Sequence, residues 1–324
     1  MGPAVTICIP TFRRLSYLKE AVAAALAQTV SNIEVLISDD GDSEPLRAWA
    51  EQAVRLDSRV RYRRNERNLG LGGNWDACVT AARGEWLLIQ GDDDRLLPSF
   101  CDSLLAMASP DSAVVFSNHY VIDENGVRLE EESLKWTALY GRHTLRRGKV
   151  EDVARCVWSN SVPMSAALVR ATYIKRLGIK SDLNTPELEL FARMAAEGAR
   201  FDHEPAYLAE FRTHSGSATA AGLVGERLIK YLEPIFVPPT AESTKRAFMM
   251  PLAKAAVDRL LCAGDKTEAA EIMRSAYYPA RFSDPTIFAQ TVAVRAPSTI
   301  GIRGYLMARW VHEAARRRLN RTGT

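Results

Sequence analysis

A short apolar run that leads directly into three consecutive carboxylates is the feature that most constrains this chain. Residues 85–91 read Glu-Trp-Leu-Leu-Ile-Gln-Gly, Asp92, Asp93 and Asp94 follow, and Pro98 comes soon after. The run has the length of a buried strand, and the proline blocks further strand pairing. Because three adjacent acids repel one another, a buried strand end that carries them normally has a compensating positive charge. Mg²⁺ or Mn²⁺ usually supplies this charge, since either ion binds a few carboxylates and keeps coordination positions open for substrate oxygens.

An isolated acidic triplet would be better explained as a solvated turn, because Asp, Asn and Gly are common turn residues. Three earlier polar clusters favour a site instead. Each follows a predicted strand or opens the helix after one, and they are Pro10-Thr11, Asp39-Asp40 and Asn68–Asn74. Ligands of open α/β sheets bind beyond the carboxyl ends of the strands. Four clusters at those ends therefore predict one shared site.

Segments with the patterns of strands and helices alternate through the first part of the chain. The predicted strands are Val5–Ile9, Ile33–Ser38, Val60–Arg64, the run before the acidic triplet and Ala113–Ser117. The predicted helices between them are Leu15–Ala27, Glu44–Leu56 and Trp75–Ala82, the last preceded by a glycine-rich turn. The alternation indicates βαβ units, and hence an α/β fold with a mostly parallel, Rossmann-like central sheet flanked by helices.

The second half of the chain changes character twice. Residues 123–148 are polar and hairpin-like, with a tight turn predicted at Glu124-Asn125-Gly126. Beyond residue 222 the strand pattern ends and helical periodicity takes over, which predicts an α-helical C-terminal appendage. The predicted helices of this half are Val150–Val157, Pro186–Glu197, Arg246–Cys262, Lys266–Tyr277 and Ile302–Leu319.

Composition excludes several classes of protein. The 324 residues include 47% hydrophobic and 25% charged ones, which is typical of a soluble globular protein. The net charge of +3 is too small to indicate a nucleic-acid partner. Five scattered cysteines without CxxC spacing are typical of reduced thiols in a cytoplasmic protein. We expect no signal peptide and no membrane span, because the N-terminus leads directly into a strand and no apolar stretch is long enough.

Eight segments together resemble family 2 glycosyltransferases of the GT-A fold. They are Ile7–Arg14, Glu34–Gly41, Asn68–Gly70, Asn74-Trp75, Ala82–Trp86, Asp92–Asp94 with Pro98, Leu188–Arg193 and Phe211–His214. The resemblance covers about residues 4–217 and leaves the helical tail outside. It predicts a glycosyltransferase domain over residues 1–221, with a nucleotide-sugar half at about 1–117 and an acceptor half at about 118–221. Residues 222–324 form the predicted helical region.

The resemblance implies an enzyme that transfers a sugar from a nucleotide diphosphate donor with inversion at the anomeric carbon. A UDP- or dTDP-sugar is the favoured donor, and a hydroxyl of a glycan or lipid-linked acceptor in polysaccharide biosynthesis is the expected target. By position, Asp40 would bind the nucleotide base, Pro10 and Thr11 would flank the nucleoside, and Asp92 would lie near the ribose. Three further residues are assigned to donor binding, namely Arg13, Asn68 and Asn74.

The same resemblance supplies a Mn²⁺ or Mg²⁺ site. Asp93 corresponds to the principal metal ligand, and Asp94 is a candidate auxiliary ligand. His214 would complete the metal shell, while Arg212 would neutralise phosphate charge. A single histidine is, however, more often a packed or surface residue than a ligand.

The chain departs from the family at the general base, where the family commonly has an aspartate and this sequence has Glu187. A glutamate can also take the proton from an acceptor hydroxyl. A purely structural interpretation is open as well, in which Thr185 caps a helix, Pro186 begins it and Glu187 is a first-turn acid favoured by the helix dipole. Asp182 is a second candidate base, and Glu189 a residue that is usually structural at its position.

Two other functions are weighed against this one. A dehydrogenase is disfavoured because Gly70-Leu71-Gly72-Gly73 lacks the third glycine of a dinucleotide loop, with Trp75 at its position. The alternative from a different class is a non-catalytic nucleotide-sugar-binding protein of the same fold. Glu187, in place of the expected aspartate, is the feature that favours it.

The C-terminal segment Ile302–Arg321 predicts a basic amphipathic helix with Trp310 as an aromatic anchor. Such a helix suits a peripheral contact with a membrane, here the inner face of a bacterial cell membrane that carries a lipid-linked acceptor. The equally weighted alternative is that its apolar face packs on the protein itself or on a second copy, as in a homodimer.

Overall fold

The computed structural model describes residues 2–216, 225–279, 284–297, 300–307 and 309–310. Contacts within the chain separate two units. The first comprises Met1–Leu223 with Ile235–Ala241, and the second comprises Val224–Pro234 with Glu242–Thr324.

One sheet organises the described part of the first unit. Its strands are β1 Val5–Thr11, β2 Ile33–Asp39, β3 Val60–Arg64, β4 Trp86–Ile89, β5 Arg95–Leu96, β6 Ser112–Ile122, β7 Gly148–Lys149, β8 Ala167–Arg170 and β9 Arg200–Arg212. They lie in the order β3-β2-β1-β4-β8-β6-β9-β5, and β7 pairs with β9 at the side.

Helices accompany the strands and then form the second unit. In the first unit they are α1 Leu15–Leu26, α2 Glu44–Leu56, α3 Gly70–Ala81, α4 Phe100–Met107, α5 Glu130–Leu139, α6 Val153–Trp158, α7 Ala171–Leu177 and α8 Pro186–Ala196. The later helices are α9 Gly225–Leu232, α10 Pro239–Ala263, α11 Lys266–Ile272 and α12 Pro285–Arg295.

The first four strands of the sheet order are parallel, as the sequence predicts. β1 pairs with β2 and β4, and β2 pairs with β3, all in parallel register. β1, β2 and β4 are buried along almost their whole length, as expected of parallel strands that are covered on both faces. Their carboxyl ends meet at one edge, where Thr11 lies opposite Asp39. The acidic triplet follows β4 toward the same edge.

The other half of the sheet is mixed. β8 is antiparallel to both β4 and β6, whereas β6 and β9 run parallel to each other. β5 joins the far edge antiparallel to β9. The short β5 follows the acidic triplet directly, so this pairing brings the end of β9 beside the triplet.

Several element boundaries differ from the sequence predictions. β1 continues through Pro10 and Thr11. Pro10 is tolerated because it lies near the end of the strand, where it is paired with Ser38 of β2. The glycine-rich turn at residues 70–73 is the first turn of α3. The tight turn at residues 124–126 is confirmed, with Gly126 N–H donating to Asp123 O at 3.0 Å and a positive φ of 82° at Gly126. A helix, α5, follows it in the region that appears hairpin-like in the sequence.

The described residues of the second unit form helices and the turns that connect them, as predicted. The predicted helix Arg246–Cys262 lies within α10, and the helix that begins at Lys266 ends at Ile272. Most of the predicted helix Ile302–Leu319 lies outside the described residues, although residues 300–307 are helical. None of the described helices has both the length and the apolar character needed to cross a membrane.

Candidate active site

The acidic triplet receives its compensating positive charge from within the chain. Arg14 Nη2 lies 2.5 Å from Asp92 Oδ1, and Arg14 Nη1 lies 2.7 Å from Asp93 Oδ2. The Thr11 hydroxyl, at the end of β1, donates to Asp92 Oδ2 at 2.7 Å. Asp92 is 1% exposed, and this burial raises its pKa to about 6 against the opposing effect of Arg14. The sequence prediction required a cation here but did not nominate Arg14.

Asp94 connects the triplet to β9. It is buried, and its Oδ1 accepts the backbone N–H of Arg212 at 2.9 Å. Arg212 Nε in turn donates to the backbone oxygen of Asp93 at 2.8 Å. Burial and the nearby charge of Asp93 raise the pKa of Asp94 to about 8. One Asp94 oxygen is therefore committed to the backbone of β9, and its role as an auxiliary metal ligand stays a prediction.

Arg212 is held by partners on all three of its guanidinium nitrogens. Besides the bond from Nε, Nη1 donates to Glu124 O at 3.1 Å and Nη2 donates to Glu20 Oε2 at 2.6 Å. Its guanidinium lies 4.7 Å from the centre of the Tyr17 ring, and the side chain is 1% exposed. These contacts fix the end of β9. A direct contact of Arg212 with phosphate would require one of them to exchange, and that role stays a prediction.

His214 reaches the triplet from beyond the end of β9. Its Nε2 lies 3.0 Å from Asp93 Oδ2, and its ring packs 5.2 Å from the ring of Tyr17, measured between centroids. The structure thus brings together Asp93 and His214, two of the three predicted metal ligands, across 121 residues of sequence.

The residues present fit a divalent cation that takes its other ligands from a substrate. Among the described residues, no group of three or more His, Cys, Asp or Glu side chains has the arrangement of a metal site. Mg²⁺ is commonly held by one or two carboxylates together with substrate phosphates and water. Asp93 supplies a carboxylate of this kind, and His214 places an imidazole nitrogen 3.0 Å from it.

The predicted nucleoside residues gather around the start of α3. Asp40 Oδ2 accepts the N–H of Gly70 at 2.9 Å, and Oδ1 accepts the N–H of Leu69 at 2.8 Å. This places a negative charge at the helix N-terminus, where the helix dipole favours it. Asn68 caps the same turn, with its Oδ1 accepting from Gly70 N–H at 2.9 Å. Asp40 therefore shapes this loop, and its contact with a base stays a prediction.

Asn74 lies beneath that loop in a closed hydrogen-bond network. Its Oδ1 accepts from Ser38 Oγ at 2.7 Å and from Asn65 Nδ2 at 3.0 Å, and its Nδ2 donates to Ser38 O at 3.0 Å. Asn74 is 4% exposed and both of its amide atoms are bonded, so these contacts position the loop, and its contact with the donor stays a prediction.

Arg13 lies in the three-residue connection between β1 and α1. It has a positive φ of 61°, an uncommon conformation for a residue other than glycine. Its side chain packs against Gly41, where an added Cβ would lie only 3.2 Å from Arg13 Cγ. Such locally strained residues concentrate at functional sites. Arg13 follows the end of β1, where the half-buried Pro10 pairs with Ser38 of β2, and the contact of both residues with the donor stays a prediction.

The three candidate bases differ in their partners. Glu189 is buried and forms an ion pair with Arg193, with Oε1 2.6 Å from Nε. Asp182 is exposed. Glu187, in the first turn of α8, has a buried Oε2 without a hydrogen-bond partner, and burial raises its pKa to about 7. A carboxyl that has one buried oxygen without a partner and a pKa near neutrality has the properties of a general base, which favours Glu187.

Glu187 is expected to make the folded state less stable as the pH rises. Its pKa is about 7 in the folded protein, above the ordinary value of 4.5. The folded state therefore favours the protonated form, and this contribution is fully present below pH 4.5 and lost as the pH rises through about 7. Glu187→Gln cannot ionise, so its melting temperature should rise relative to that of the wild type between about pH 5 and pH 8. A constant difference across this range, measured by calorimetry, would show that Glu187 is not buried as described.

Comparison with known proteins identifies the family. The family described as Glycosyl transferase family 2 matches residues 6–168, about half of the chain. The chain belongs to this family. The match includes β1, β2, the start of α3 and the acidic triplet, and it ends before Glu187 and His214.

Curated relatives within family 2 match only part of the chain. A putative glycosyltransferase, EpsH of Bacillus subtilis, is 29% identical over 117 residues, which are 36% of this chain and 34% of EpsH. The GalNAc(5)-diNAcBac-PP-undecaprenol β-1,3-glucosyltransferase of Campylobacter jejuni is 28% identical over 129 residues, which are 40% of this chain and 42% of that enzyme. The chain thus spans less than half the length of these relatives.

Solved structures share the fold over nearly the whole chain. Staphylococcus aureus TarS 1–349 in complex with UDP-GlcNAc has a TM-score of 0.66 at 13% identity, with 98% of this chain and 92% of that chain covered. The mannosyltransferase PcManGT of Pyrobaculum calidifontis, in complex with GDP-Man and Mn²⁺, has a TM-score of 0.57 at 14% identity, with 95% and 87% covered. These likenesses show a GT-A fold with a helical C-terminal part.

Proposed function

We propose that this family 2 protein is a metal-dependent inverting glycosyltransferase. It transfers a sugar from a nucleotide diphosphate donor, with UDP or dTDP favoured, to a hydroxyl of a glycan or lipid-linked acceptor in polysaccharide biosynthesis. The observation that carries the proposal is the meeting of Asp93 Oδ2 and His214 Nε2, 3.0 Å apart. The pair includes the middle acid of the triplet that follows β4, at the edge where α/β folds bind ligands.

Each group of residues contributes one part of the chemistry. The loop around Asp40 and Arg13 holds the nucleoside, and Asp92 lies near the ribose. Asp93 and His214 would hold Mn²⁺ or Mg²⁺, and the bound ion would neutralise charge on the donor diphosphate. Glu187 accepts the proton of the acceptor hydroxyl while the hydroxyl oxygen attacks the anomeric carbon of the donor sugar. The nucleoside diphosphate leaves from the opposite face, so the configuration of the anomeric carbon is inverted.

Related proteins support the substrate classes in this proposal. TarS was solved with UDP-GlcNAc and PcManGT with GDP-Man and Mn²⁺, so chains of this fold bind nucleotide sugars, and one binds a divalent metal. The Campylobacter relative is named for an acceptor linked to undecaprenol through a diphosphate. A lipid-linked glycan is therefore one acceptor class to test.

The alternative, a non-catalytic nucleotide-sugar-binding protein, is disfavoured by Glu187. Its Oε2 is buried without a hydrogen-bond partner and its pKa is raised to about 7, and these properties favour a general base over a residue without a catalytic role. Glu189 shows what a purely structural acid looks like on this helix, since it is paired with Arg193.

Thermal unfolding with a panel of nucleotide sugars tests the donor class. UDP-glucose, UDP-N-acetylglucosamine, dTDP-glucose and GDP-mannose would each be added with Mn²⁺ and, in parallel, with EDTA. We expect one uridine or thymidine donor to raise the melting temperature when Mn²⁺ is present, since a ligand that binds only the folded state stabilises it by about 2.7 kcal/mol at a hundred times its Kd. Equal shifts in EDTA would contradict metal dependence, and no shift with any donor would contradict nucleotide-sugar binding.

The remaining assignments stay predictions. They are the domain boundaries near residue 221, a cytoplasmic location, contact with the inner face of a membrane, and a homodimer. Most of the C-terminal helix on which the membrane contact depends lies outside the described residues.

A further inference from the structure

Arg14 occupies the position of greatest negative charge in the candidate site. Its Nε donates to Asp92 Oδ2 at 3.3 Å, its Nη2 lies 2.5 Å from Asp92 Oδ1, and its Nη1 donates to Asp93 Oδ2 at 2.7 Å. The guanidinium fork is thus used on both acids at once, with two nitrogens on Asp92 and one on Asp93.

The contact with Asp93 is made through an oxygen that already has a second partner. Asp93 Oδ2 lies 2.7 Å from Arg14 Nη1 and 3.0 Å from His214 Nε2. A metal ion held by Asp93 and His214 would therefore lie close to Arg14 Nη1 as well as to His214 Nε2. Because the guanidinium carries a full positive charge, it would repel a divalent cation strongly at such a distance. Arg14 and the metal therefore compete for Asp93.

The two contacts of Arg14 are not equivalent. Asp92 is buried, also accepts from the Thr11 hydroxyl, and is held by Arg14 through both of its oxygens. Asp93 is held through one oxygen only. The Arg14 side chain is 32% exposed, so it has room on the solvent side. The contact with Asp93 is therefore the easier one to release.

The backbone of Arg14 is fixed at the same time. β1 ends at Thr11 and α1 begins at Leu15, so the connection is short, and Arg13 within it has the constrained φ of 61°. Leu18 N–H donates to Arg14 O at 3.0 Å, which ties Arg14 into the first turn of α1. Any movement of Arg14 is thus confined to its side chain.

From this geometry we infer that Arg14 is a positioning residue. In the free protein its guanidinium occupies the metal-binding position beside Asp93, and it gives up its contact with Asp93 when the metal binds. The inference rests on the proposed function for the identity of the metal and the diphosphate. After release, Nη1 is free to donate to a phosphate oxygen while Nε and Nη2 stay on Asp92. The metal alone then binds weakly, and the metal and the nucleotide strengthen each other's binding, because the phosphate provides a new partner for the displaced arginine.

Binding of Mn²⁺ without nucleotide tests the competition directly. Free Mn²⁺ would be measured by electron paramagnetic resonance in titrations of the wild type, Arg14→Gln and Lys19→Gln. Removing the competing charge should tighten Mn²⁺ binding by about tenfold in Arg14→Gln. Lys19→Gln is the matched control, since it removes one positive charge from the exposed face of α1, the helix that follows Arg14. It should leave the Mn²⁺ affinity within about twofold of the wild type.

A second titration measures UDP binding at saturating Mn²⁺. Arg14→Gln should bind UDP about tenfold more weakly, because a charge-assisted contact to phosphate is lost. Arg14→Lys keeps the positive charge that competes with Mn²⁺ but loses the planar guanidinium group. Its Mn²⁺ affinity should therefore stay close to that of the wild type. Opposite shifts for Mn²⁺ and UDP in Arg14→Gln support the inference.

Unchanged or weaker Mn²⁺ binding in Arg14→Gln, in a variant whose circular dichroism and melting temperature match the wild type, would overturn the inference. Loss of folding in Arg14→Gln together with wild-type folding and tightened Mn²⁺ binding in Arg14→Lys would overturn it as well. Failure of the proposed function has a different signature, since it would appear as the absence of sugar transfer by the wild type whatever the Mn²⁺ affinities.

Discussion

Asp93→Asn is expected to abolish metal-dependent donor binding and sugar transfer while the protein stays folded. The substitution keeps the shape of the side chain but removes the negative charge that a divalent cation requires. It also relieves repulsion within the acidic triplet, and Arg14 keeps its ion pair with Asp92. The transfer rate should fall by at least about a hundredfold, as is typical when one strong electrostatic contact to the reacting group is lost.

Three matched substitutions make the Asp93 experiment specific. Asp102→Asn changes an exposed acid on α4 and should have no effect on transfer. Asp94→Asn should act mainly on stability, since Asp94 holds the backbone of Arg212. Asp92→Asn should weaken donor binding less than Asp93→Asn does. Normal donor binding and turnover in Asp93→Asn would show that the metal assignment is wrong.

Glu187→Gln is expected to keep donor binding and lose transfer. Glutamine has nearly the same shape, but it cannot accept the proton of the acceptor hydroxyl. A general base typically contributes about 10²–10⁴ in rate, and a loss of that order is expected. Donor affinity, followed by thermal shift, should match that of the wild type because Glu187 is assigned no contact with the nucleotide.

The competing bases give this second experiment its control. Asp182→Asn should leave the rate unchanged if Glu187 is the base. An unaffected rate in Glu187→Gln combined with a large loss in Asp182→Asn would transfer the role to Asp182. Glu189→Gln is less informative, because it breaks the ion pair with Arg193 and so changes the packing of α8.

The sequence predicts the first half of the sheet closely, because the burial of these strands leaves short runs of apolar residues that can be recognised in the sequence. β4 is a central strand that is buried on both faces and appears as a continuous apolar run, and β2 is equally buried and mostly apolar apart from Glu34 and its polar end. The second half is harder to predict. β9 contains Pro205 and the polar run Asp202, His203 and Glu204, and it becomes a strand through its long pairing with β6. No local pattern signals such tertiary pairing.

The site shows the same division between local and tertiary information. Asp93 and His214 could be proposed from family motifs, and the structure brings them together. Arg14 follows from a physical requirement, since the triplet needs a positive charge, but the sequence does not indicate which arginine supplies it. Asn74 appears in the sequence as a ligand-binding residue at the edge of the sheet, whereas the fold buries it in contacts with Ser38 and Asn65. Burial of this kind depends on how α3 packs and cannot be read from turn chemistry.

Release of nucleoside diphosphate is the measurement that tests the proposed function most directly. The nucleotide sugar that gives the largest thermal shift would be incubated with the wild type and with Asp93→Asn, each in Mn²⁺ and in EDTA. Metal-dependent transfer requires release by the wild type in Mn²⁺, and only background release in EDTA and in Asp93→Asn. Equal release by the wild type in Mn²⁺ and EDTA would contradict metal dependence, and tight donor binding without any release would contradict catalysis.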